Sequence, residues 1–400
     1  MKTIYETLRV LDLADRNASF VGKQLAAFGA EVLKIEKPEG DDERRRGSFA
    51  GGTADPEKSI PFAYNNTGKR SVTLRLETTE GQEIFRRLAW TADVIIETFE
   101  PGYMKKLGLD YDMLRKENPG LIMCSVTPFG QDGPHAHWKA SSDLITDAMG
   151  GPMMDRGRVG QAPLHYGYDV MSAGASMYAL FAIQAEYHSR LSTGEGAYID
   201  ISQQECFATW KDQFIGEAQV NDCSLVRVGG PDYALPFIHT CDQGLVFASV
   251  ATKWQQLMDW FEEEGLDISV FDDPFYEEYA REIQTPINSV LMSYFDKLGE
   301  KYGKIAFMEE AQRRGFPMAA VEQAHTLIDN PHLKARKYFV EVDHPVMGAY
   351  QYPGAMAKMS ESEQILDVPA PLLGADTDMV LTELGYTEEA IAALRSESVI

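Results

Sequence analysis

The chain has 400 residues, more than one hydrophobic core usually supports, so two structural units are expected. Hydrophobic residues make up 44% of the sequence and charged residues 24%, as in an ordinary soluble globular protein. The formal net charge is −24, from 61 acidic and 37 basic side chains, which argues against a nucleic-acid or anionic-membrane partner. An anionic ligand would therefore need local clusters of lysine and arginine.

Alternating strands and helices dominate the first 200 residues. β-branched runs predict parallel strands at 8–13, 30–36, 71–76, 93–97 and 121–126. Crossover helices, such as the one expected over 79–90, join these strands. This pattern indicates an open α/β sheet. The chain contains neither G-x-G-x-x-G nor a P-loop sequence, and it has no G-x-S-x-G elbow for a serine nucleophile.

The next part of the chain has a different pattern. A hairpin is predicted over 237–250, an amphipathic helix from Trp254, and further helices over 277–299 and 304–314. Loop-rich sequence follows Gly348, and a last helix is expected over 387–395. We therefore expect a large domain over 1–220, a small α+β domain over 221–328 and a C-terminal segment over 329–400.

No metal site and no export signal are predicted. The cysteines form no C-x-x-C pair and no zinc-finger spacing with histidine, so they are expected to be reduced thiols in a cytoplasmic protein. The N-terminus lacks the apolar core of a signal peptide. The most apolar long run, 170–185, is too short and polar for a membrane span and predicts a buried helix.

Asp169 stands immediately before that predicted helix, and two interpretations of it remain open. A carboxylate at a helix start can cap the helix, where the N-terminus favours its charge. It can also be a nucleophile held in position by a rigid element.

Basic and glycine-containing segments lie next to the predicted strands, and open α/β sheets bind ligands outside the carboxyl ends of their strands. Lys37 and the arginines at 44–46 follow the second strand, and Lys69 lies in the turn 65–71. Thr98 and Phe99 begin a turn that precedes two lysines, and Lys139 follows the glycines of 130–134. Taken singly, each cluster is equally compatible with a solvated loop or a polar turn.

Taken together and in order, these segments resemble the class III CoA-transferase family, which includes formyl-CoA transferase-like and carnitine CoA-transferase-like enzymes. The resemblance covers essentially the whole chain. It implies a large open-sheet Rossmann-like domain, a smaller α+β domain and an interlocked dimer. The matching segments are 8–13, 28–36, 40–44, 66–71, 97–102, 129–134, Asp169 with its helix, 193–196, 373–376 and 384–386.

The resemblance implies transfer of CoA from an acyl-CoA to a free carboxylic acid. In this family an aspartate that matches Asp169 attacks the donor thioester and forms a mixed anhydride. The CoA thiolate then attacks the aspartyl carbonyl, which gives an aspartyl-CoA thioester, and the acceptor acid reverses both steps. CoA is thus a substrate, and no tightly bound cofactor is expected.

The family's CoA-binding positions fall on basic and aromatic residues of this chain. Lys37 matches a basic residue near the adenosine 3′-phosphate, Lys106 a cation on the phosphates, and Lys139 a lysine near the active site. Thr98 departs from the asparagine that usually precedes the phenylalanine. The residues implied to bind CoA are Lys37, Arg44, Lys69, Thr98, Phe99, Lys106 and Lys139.

Two alternatives remain beside transfer. An α-methylacyl-CoA racemase would share the fold, but its catalytic histidine is replaced by Ser142 in this sequence. The chain could also be a non-catalytic CoA-binding subunit that works with an active paralogue. Acyl-CoA and a small carboxylic acid are the expected ligands, and a homodimer or a complex with a paralogous subunit is the expected assembly.

Overall fold

The computed structural model describes residues 2–140, 143–157, 160–221, 237–248, 253–276 and 289–400. Its strands are β1 (Arg9–Leu13), β2 (Glu31–Glu36), β3 (Arg70–Thr73), β4 (Val94–Glu97), β5 (Ile122–Thr127), β6 (Tyr198–Ser202), β7 (Phe237–His239), β8 (Leu245–Phe247), β9 (Ala319–Ala320), β10 (Phe339–His344) and β11 (Gly348–Pro353).

The helices are α1 (Ser19–Ala27), α2 (Ile60–Asn65), α3 (Thr79–Ala89), α4 (Tyr103–Lys106), α5 (Tyr111–Leu114), α6 (Asp143–Gly150), α7 (Val170–Thr193), α8 (Gln203–Thr209), α9 (Asp212–Asn221), α10 (Trp254–Glu263), α11 (Ser289–Gly299), α12 (Lys304–Arg313), α13 (Ala324–Leu327), α14 (Pro331–Ala335), α15 (Thr377–Glu383) and α16 (Glu388–Ser396). Short 3-10 turns add Asp42–Arg45, Ala50–Gly52, Pro152–Asp155 and Ser269–Asp272.

A six-stranded parallel sheet in the order β3-β2-β1-β4-β5-β6 confirms the predicted α/β architecture. The order reverses between β1 and β4, and such a reversal opens a crevice at the carboxyl ends of the strands. Both faces of the sheet are buried, as parallel sheets require. Leu11 of β1 and Ile95 of β4 pack on the face that carries α3, whereas Val10 and Ile96 pack on the face that carries α1 and α7.

The C-terminal segment packs on the same sheet. Asp376 accepts a hydrogen bond from the Ser71 amide at 2.9 Å, and the Thr377 hydroxyl accepts one from the Thr73 amide at 2.9 Å. The strand predicted over 71–76 ends at Thr73, and beyond it the Arg75 amide donates to the Val399 carbonyl at 2.7 Å.

One strand of an antiparallel hairpin falls in the region predicted to be rich in loops. β10 and β11 pair over six residues each, from Phe339 opposite Pro353 to His344 opposite Gly348. The loop prediction is wrong for β11, because Gly348–Pro353 is a regular strand that follows a tight turn over 345–347 and pairs with β10.

Contacts divide the chain into two compact units. The first consists of Met1–Arg156, Pro163–Leu225 and Ala335–Ile400, and the second of Gly157–Ala162 and Val226–Lys334. In the second unit β7, β8 and β9 form an antiparallel sheet, and helices α10, α11 and α12 pack around an aromatic core that includes Trp260 and Phe307.

The predicted hairpin and the helix from Trp254 are confirmed. Of the helix predicted over 277–299, residues 277–288 lie outside the described part, and Ser289–Gly299 is helical. In the part of the chain that the structure describes, every helix is too short or too polar to cross a bilayer.

Candidate active site

Asp169 is the N-cap residue of α7, but its side chain makes no capping hydrogen bond. Its carbonyl accepts the first intrahelical bond, from the Ala173 amide at 2.9 Å. Its carboxylate instead faces two arginines and keeps 25% of its surface exposed. The interpretation of Asp169 as a side-chain cap is therefore wrong, because its carboxylate bonds to two arginines and to no amide of the helix.

Asp143 takes over the capping of α7. Its two carboxylate oxygens accept hydrogen bonds from the Ser172 amide at 3.0 Å and from the Ser172 hydroxyl at 2.6 Å. A buried carboxylate thus satisfies a free N–H at the helix start from another element, which leaves the carboxylate of Asp169 available. Sequence reasoning missed this role, because the two partners are 29 residues apart.

The two arginines on Asp169 come from the loops that follow β1 and β2. Arg46 donates from both terminal nitrogens, with the Nη2–Oδ1 distance at 2.9 Å, and Arg16 Nη1 lies 3.4 Å from Oδ1. The hydrogen bonds to Asp169 raise the pKa of Arg46 above its ordinary value. Arg46 belonged to the basic cluster seen in the sequence, but the spacing gave no sign that Asp169 was its partner.

Local hydrogen bonds fix the backbones of both arginines. The Arg46 amide donates to the Glu43 carbonyl at 3.0 Å, and the Ser59 hydroxyl donates to the Arg46 carbonyl at 2.7 Å. Arg16 lies within an Asx turn in which Asp15 accepts from the Asn17 amide at 2.9 Å. Both guanidinium groups therefore start from rigid backbone positions.

A cavity of about 200 Å³ lies at the carboxyl ends of the first four strands. It collects side chains from the ends of β1, β2 and β4 and from the chain after β3, with Phe99 and Tyr103 as aromatic walls. The ring centroids of those two residues are 4.6 Å apart. This is the position where an open parallel sheet binds its ligand.

Three of the residues assigned to CoA line this cavity: Lys37, Thr98 and Phe99. Lys37 is exposed, as a phosphate ligand requires. The Thr98 hydroxyl accepts a hydrogen bond from the Asp15 amide at 2.9 Å, so it ties the loop after β4 to the loop after β1. The polar group that stands in place of asparagine therefore has an internal partner.

Arg44 and Lys69 are buried inside the protein and fully occupied by internal partners. Arg44 binds Glu36 through Nε at 2.6 Å and through Nη2 at 2.8 Å, and its Nη1 lies 2.9 Å from Glu57. The Lys69 amine donates to Asp12, and the side chains of both residues are fully enclosed. The structure thus turns both cations inward, away from the cavity and from Asp169.

Lys106 and Lys139 lie on the surface. Lys106 is exposed at the end of α4, three residues after the cavity residue Tyr103. Lys139 forms an exposed ion pair with Glu100, a residue of the turn that follows β4. Such an exposed pair contributes little to stability, so the lysine remains available to an anion.

Glu97, the last residue of β4, directly precedes the cavity residue Thr98, and the pKa of its carboxyl group is shifted. Burial raises the pKa of its carboxyl to about 7, although the carboxylate accepts a hydrogen bond from the Phe99 amide at 2.7 Å. Burial likewise raises the pKa of Asp15 above its ordinary value. Among the described residues no group of three or more His, Cys, Asp or Glu side chains is placed to hold a metal ion.

Comparisons with known proteins agree on one family. The chain is 30% identical to a subunit of succinyl-CoA:(R)-benzylsuccinate CoA-transferase from Thauera aromatica, over 96% of this chain and 94% of that one. It is 28% identical to formyl-CoA:oxalate CoA-transferase from Streptomyces avermitilis over the full length of both.

A solved structure shares the fold. The crystal structure of a CaiB/BaiF family protein from Brucella suis matches with a TM-score of 0.79 and 27% identity, over 96% of this chain and 100% of the other. The sequence model of CoA-transferase family III matches residues 5–377. The chain therefore belongs to CoA-transferase family III and is an acyl-CoA:carboxylate CoA-transferase.

Proposed function

We propose that this enzyme transfers CoA between carboxylic acids with Asp169 as its covalent nucleophile. The observation that carries the proposal is the state of Asp169. It is a partly exposed carboxylate at the start of a 24-residue helix, is not used as a cap, and is held by two cations. A partly exposed carboxylate that a rigid element holds in position is suited to nucleophilic attack.

The proposed reaction is a sequence of acyl transfers that needs no oxidant or metal. A carboxylate oxygen of Asp169 attacks the thioester carbonyl of the donor, the C–S bond breaks, and the CoA thiolate leaves a mixed anhydride. The thiolate then attacks the Asp169 carbonyl carbon, and the donor acid departs as its carboxylate. The acceptor carboxylate attacks the carbonyl of the resulting aspartyl-CoA thioester, the C–S bond breaks, and a second mixed anhydride forms as the CoA thiolate leaves. The thiolate then attacks the acyl carbonyl of the acceptor in this anhydride, which gives the new acyl-CoA and releases the Asp169 carboxylate.

The loops after β1 and β2 connect the cavity with Asp169, which supports CoA binding along this path. Asp15 lines the cavity and the next residue, Arg16, contacts Asp169. In the second loop Asp42 lines the cavity and Arg46 contacts Asp169. We propose that the adenosine end of CoA binds in the cavity near Lys37 and Phe99, with the phosphates near the lysines of α4.

Trapping of the aspartyl intermediate tests the mechanism directly. Wild-type enzyme is mixed with donor acyl-CoA and then with hydroxylamine or borohydride, and the modified residue is located by peptide mass spectrometry. We expect modification at Asp169 alone and none in Asp169→Asn. Absence of any adduct on Asp169 during turnover would contradict the proposed nucleophile.

The choice of substrates follows from the relatives. The named donors of the relatives are succinyl-CoA and formyl-CoA, so these two head a panel of donors to be tested against mono- and dicarboxylic acceptors. The CoA esters formed are read by mass spectrometry. When the same reactions are run in deuterated water, incorporation of deuterium at the α-carbon without CoA transfer would support the racemase alternative. Ser142, which stands in place of the racemase histidine, lies outside the described residues.

We also propose that the enzyme is a dimer. Apolar side chains project from the exposed face of α7, including Phe181 at 73% and Leu191 at 68% exposure. Apolar groups arranged in this way on one helix are typical of a protein interface. Native mass spectrometry should give twice the chain mass of 44.6 kDa, and a monomer at micromolar concentration would contradict the proposal.

A further inference from the structure

Two guanidinium groups bind the carboxylate of Asp169 in the free enzyme. The two terminal nitrogens of Arg46 each contact a different oxygen of Asp169, and Arg16 approaches Oδ1 from the loop after β1. The planar fork of arginine fits a carboxylate in this way whatever molecule carries it. The arrangement is therefore a carboxylate-binding site that the enzyme's own aspartate fills.

Covalent chemistry at Asp169 would empty that site. In the mixed anhydride and in the aspartyl-CoA thioester the carboxylate becomes an acyl group and loses its negative charge. Arg46 and Arg16 then face a neutral carbonyl in place of the charged carboxylate of Asp169. Their side chains are 35% and 19% exposed, so a small anion can reach them. Both are also buried enough from water for the attraction between a guanidinium and a carboxylate to be significant.

From this charge change we propose that Arg46 and Arg16 bind the reacting carboxylate of the acid substrate once Asp169 is acylated. The inference rests on the proposed nucleophilic role of Asp169. Arg46 and Arg16 together are called the clamp. Asp169 occupies the clamp in the free enzyme and leaves it vacant for the acid in the aspartyl-CoA enzyme. The bound carboxylate replaces the lost charge and lies beside the carbonyl carbon that it must attack.

The neighbouring arginines have other partners than Asp169. Arg44 is buried in its bonds to Glu36 and Glu57, and Arg45 donates to Asp42 at 3.1 Å and to the Glu39 carbonyl. Since the chain carries a net charge of −24, an acid substrate needs a local cationic site. The Arg46 backbone is anchored at its amide and its carbonyl, so the fork returns to the same place after each turnover.

The clamp also makes acid binding depend on the state of the enzyme. In the free enzyme an external acid competes with Asp169, which is tethered beside the arginines at high effective concentration. In the acylated enzyme that competitor is absent. The acid should therefore bind weakly to the free enzyme and tightly to the aspartyl-CoA form, which prevents unproductive occupation of the site.

Binding of succinate and acetate to enzyme without CoA tests the clamp directly. Replacement of the carboxylate in Asp169→Ala mimics its loss of charge, and calorimetry should show succinate binding about tenfold or more tighter than to wild type, as expected for one freed charge-assisted hydrogen bond. The double variant Asp169→Ala with Arg46→Gln should lose this gain. Circular dichroism and unfolding curves establish that each variant is folded.

Arg86→Gln in the Asp169→Ala background is the matched control. Arg86 has the same side-chain exposure as Arg46, 35%, and also has a single carboxylate partner, Glu83 at 3.4 Å. It should leave succinate binding unchanged. Equal affinity of wild type and Asp169→Ala for both acids, or equal loss with Arg46→Gln and Arg86→Gln, would overturn the clamp.

Steady-state kinetics separates the clamp from a structural role of Arg46. In Arg46→Gln the KM of the acceptor acid should rise about tenfold or more, while the KM of the donor acyl-CoA stays within about twofold. Arg46→Lys should restore part of the acid affinity, since it returns the charge without the fork. An unchanged acid KM would refute the clamp even if Asp169 is trapped. Failure to trap Asp169 while the acid-binding results are as expected would refute the nucleophile, and with it the opening of the clamp by acylation, but would leave Arg46 as an acid-binding residue.

Discussion

Replacement of Lys69 by methionine tests whether this lysine holds the fold together or binds CoA. The three protons of its amine have three acceptors inside the protein: Asp12 Oδ2 at 2.6 Å, the Ser19 carbonyl at 2.8 Å and Asn66 Oδ1 at 2.7 Å. An ammonium group has no further donor to offer a phosphate. We therefore expect Lys69→Met to destabilise the enzyme rather than to weaken CoA binding specifically.

The size of the effect follows from the partner left behind. Asp12 is fully buried, and loss of the lysine leaves its carboxylate without its direct counter-ion. Removing one member of a buried pair costs about 3–5 kcal/mol. Lys34, itself held by Asp41 at 2.7 Å, remains near Asp12 and offsets part of the lost attraction. We expect a loss at the lower end, about 3 kcal/mol of unfolding free energy.

Urea unfolding followed by circular dichroism measures this loss, and acyl-CoA KM is determined on the same preparations. The double variant Asp12→Asn with Lys69→Met should regain part of the stability, because no unpaired charge remains. Glu300→Gln, an exposed change in the second unit, serves as the surface control. A Lys69→Met enzyme that loses less than about 1 kcal/mol but binds acyl-CoA much more weakly would refute this reasoning.

Three further changes test other parts of the structure. Burial raises the pKa of Glu97 from 4.5 to about 7, so the folded state holds this proton more tightly than the unfolded state. The contribution of Glu97 to the unfolding free energy should therefore fall by about 3 kcal/mol as the pH rises from 4.5 to 7. Glu97→Gln should abolish this decline. Asp143→Ala removes two hydrogen bonds to Ser172 and should cost about 2–3 kcal/mol and lower kcat, because the helix start that carries Asp169 loses its cap. Gly196→Ala should destabilise by about 3 kcal/mol, since a Cβ there would lie 1.9 Å from the Leu121 carbonyl oxygen.

Each of these has a result that contradicts it. For Glu97→Gln it is a pH dependence of unfolding parallel to that of wild type between pH 4.5 and 8, with the exposed Glu83→Gln as control. For Asp143→Ala it is wild-type stability together with wild-type kcat. For Gly196→Ala it is a urea midpoint equal to that of Gly216→Ala, a position where a Cβ meets nothing within 4 Å.

The carboxylate at the start of α7 illustrates how far sequence reasoning reaches. The sequence identified Asp169 and the long helix behind it, because a run of small and apolar residues has a helical length and ends at Gly194. The prediction that this helix is buried was right for one face only, since Phe181 and Leu191 on the other face are exposed. The sequence left open whether the carboxylate caps the helix. That question depends on Asp143, which lies in another helix and takes the capping hydrogen bonds.

The basic clusters illustrate the opposite case. Sequence alone treated Arg44, Lys69 and Lys37 as candidates for anion binding, since each lies in a basic segment next to a strand and near a glycine. The structure buries the first two against Glu36 and Asp12 and leaves only Lys37 at the cavity. Ion pairing between residues as far apart as Lys69 and Asp12, 57 positions, leaves no local signature in the chain.

The sequence by itself determined the alternation of strands and helices and the place of Asp169 at a helix start, because periodicity and helix punctuation are local properties of the chain. Only the tertiary structure decided which charges are buried in pairs and which face the site. Packing of loops from neighbouring strands brings Arg16 and Arg46 to Asp169 across separations of 153 and 123 residues. The whole fold sets how deeply each charged side chain is buried. It therefore also decides whether that side chain forms a structural ion pair or is available to substrate.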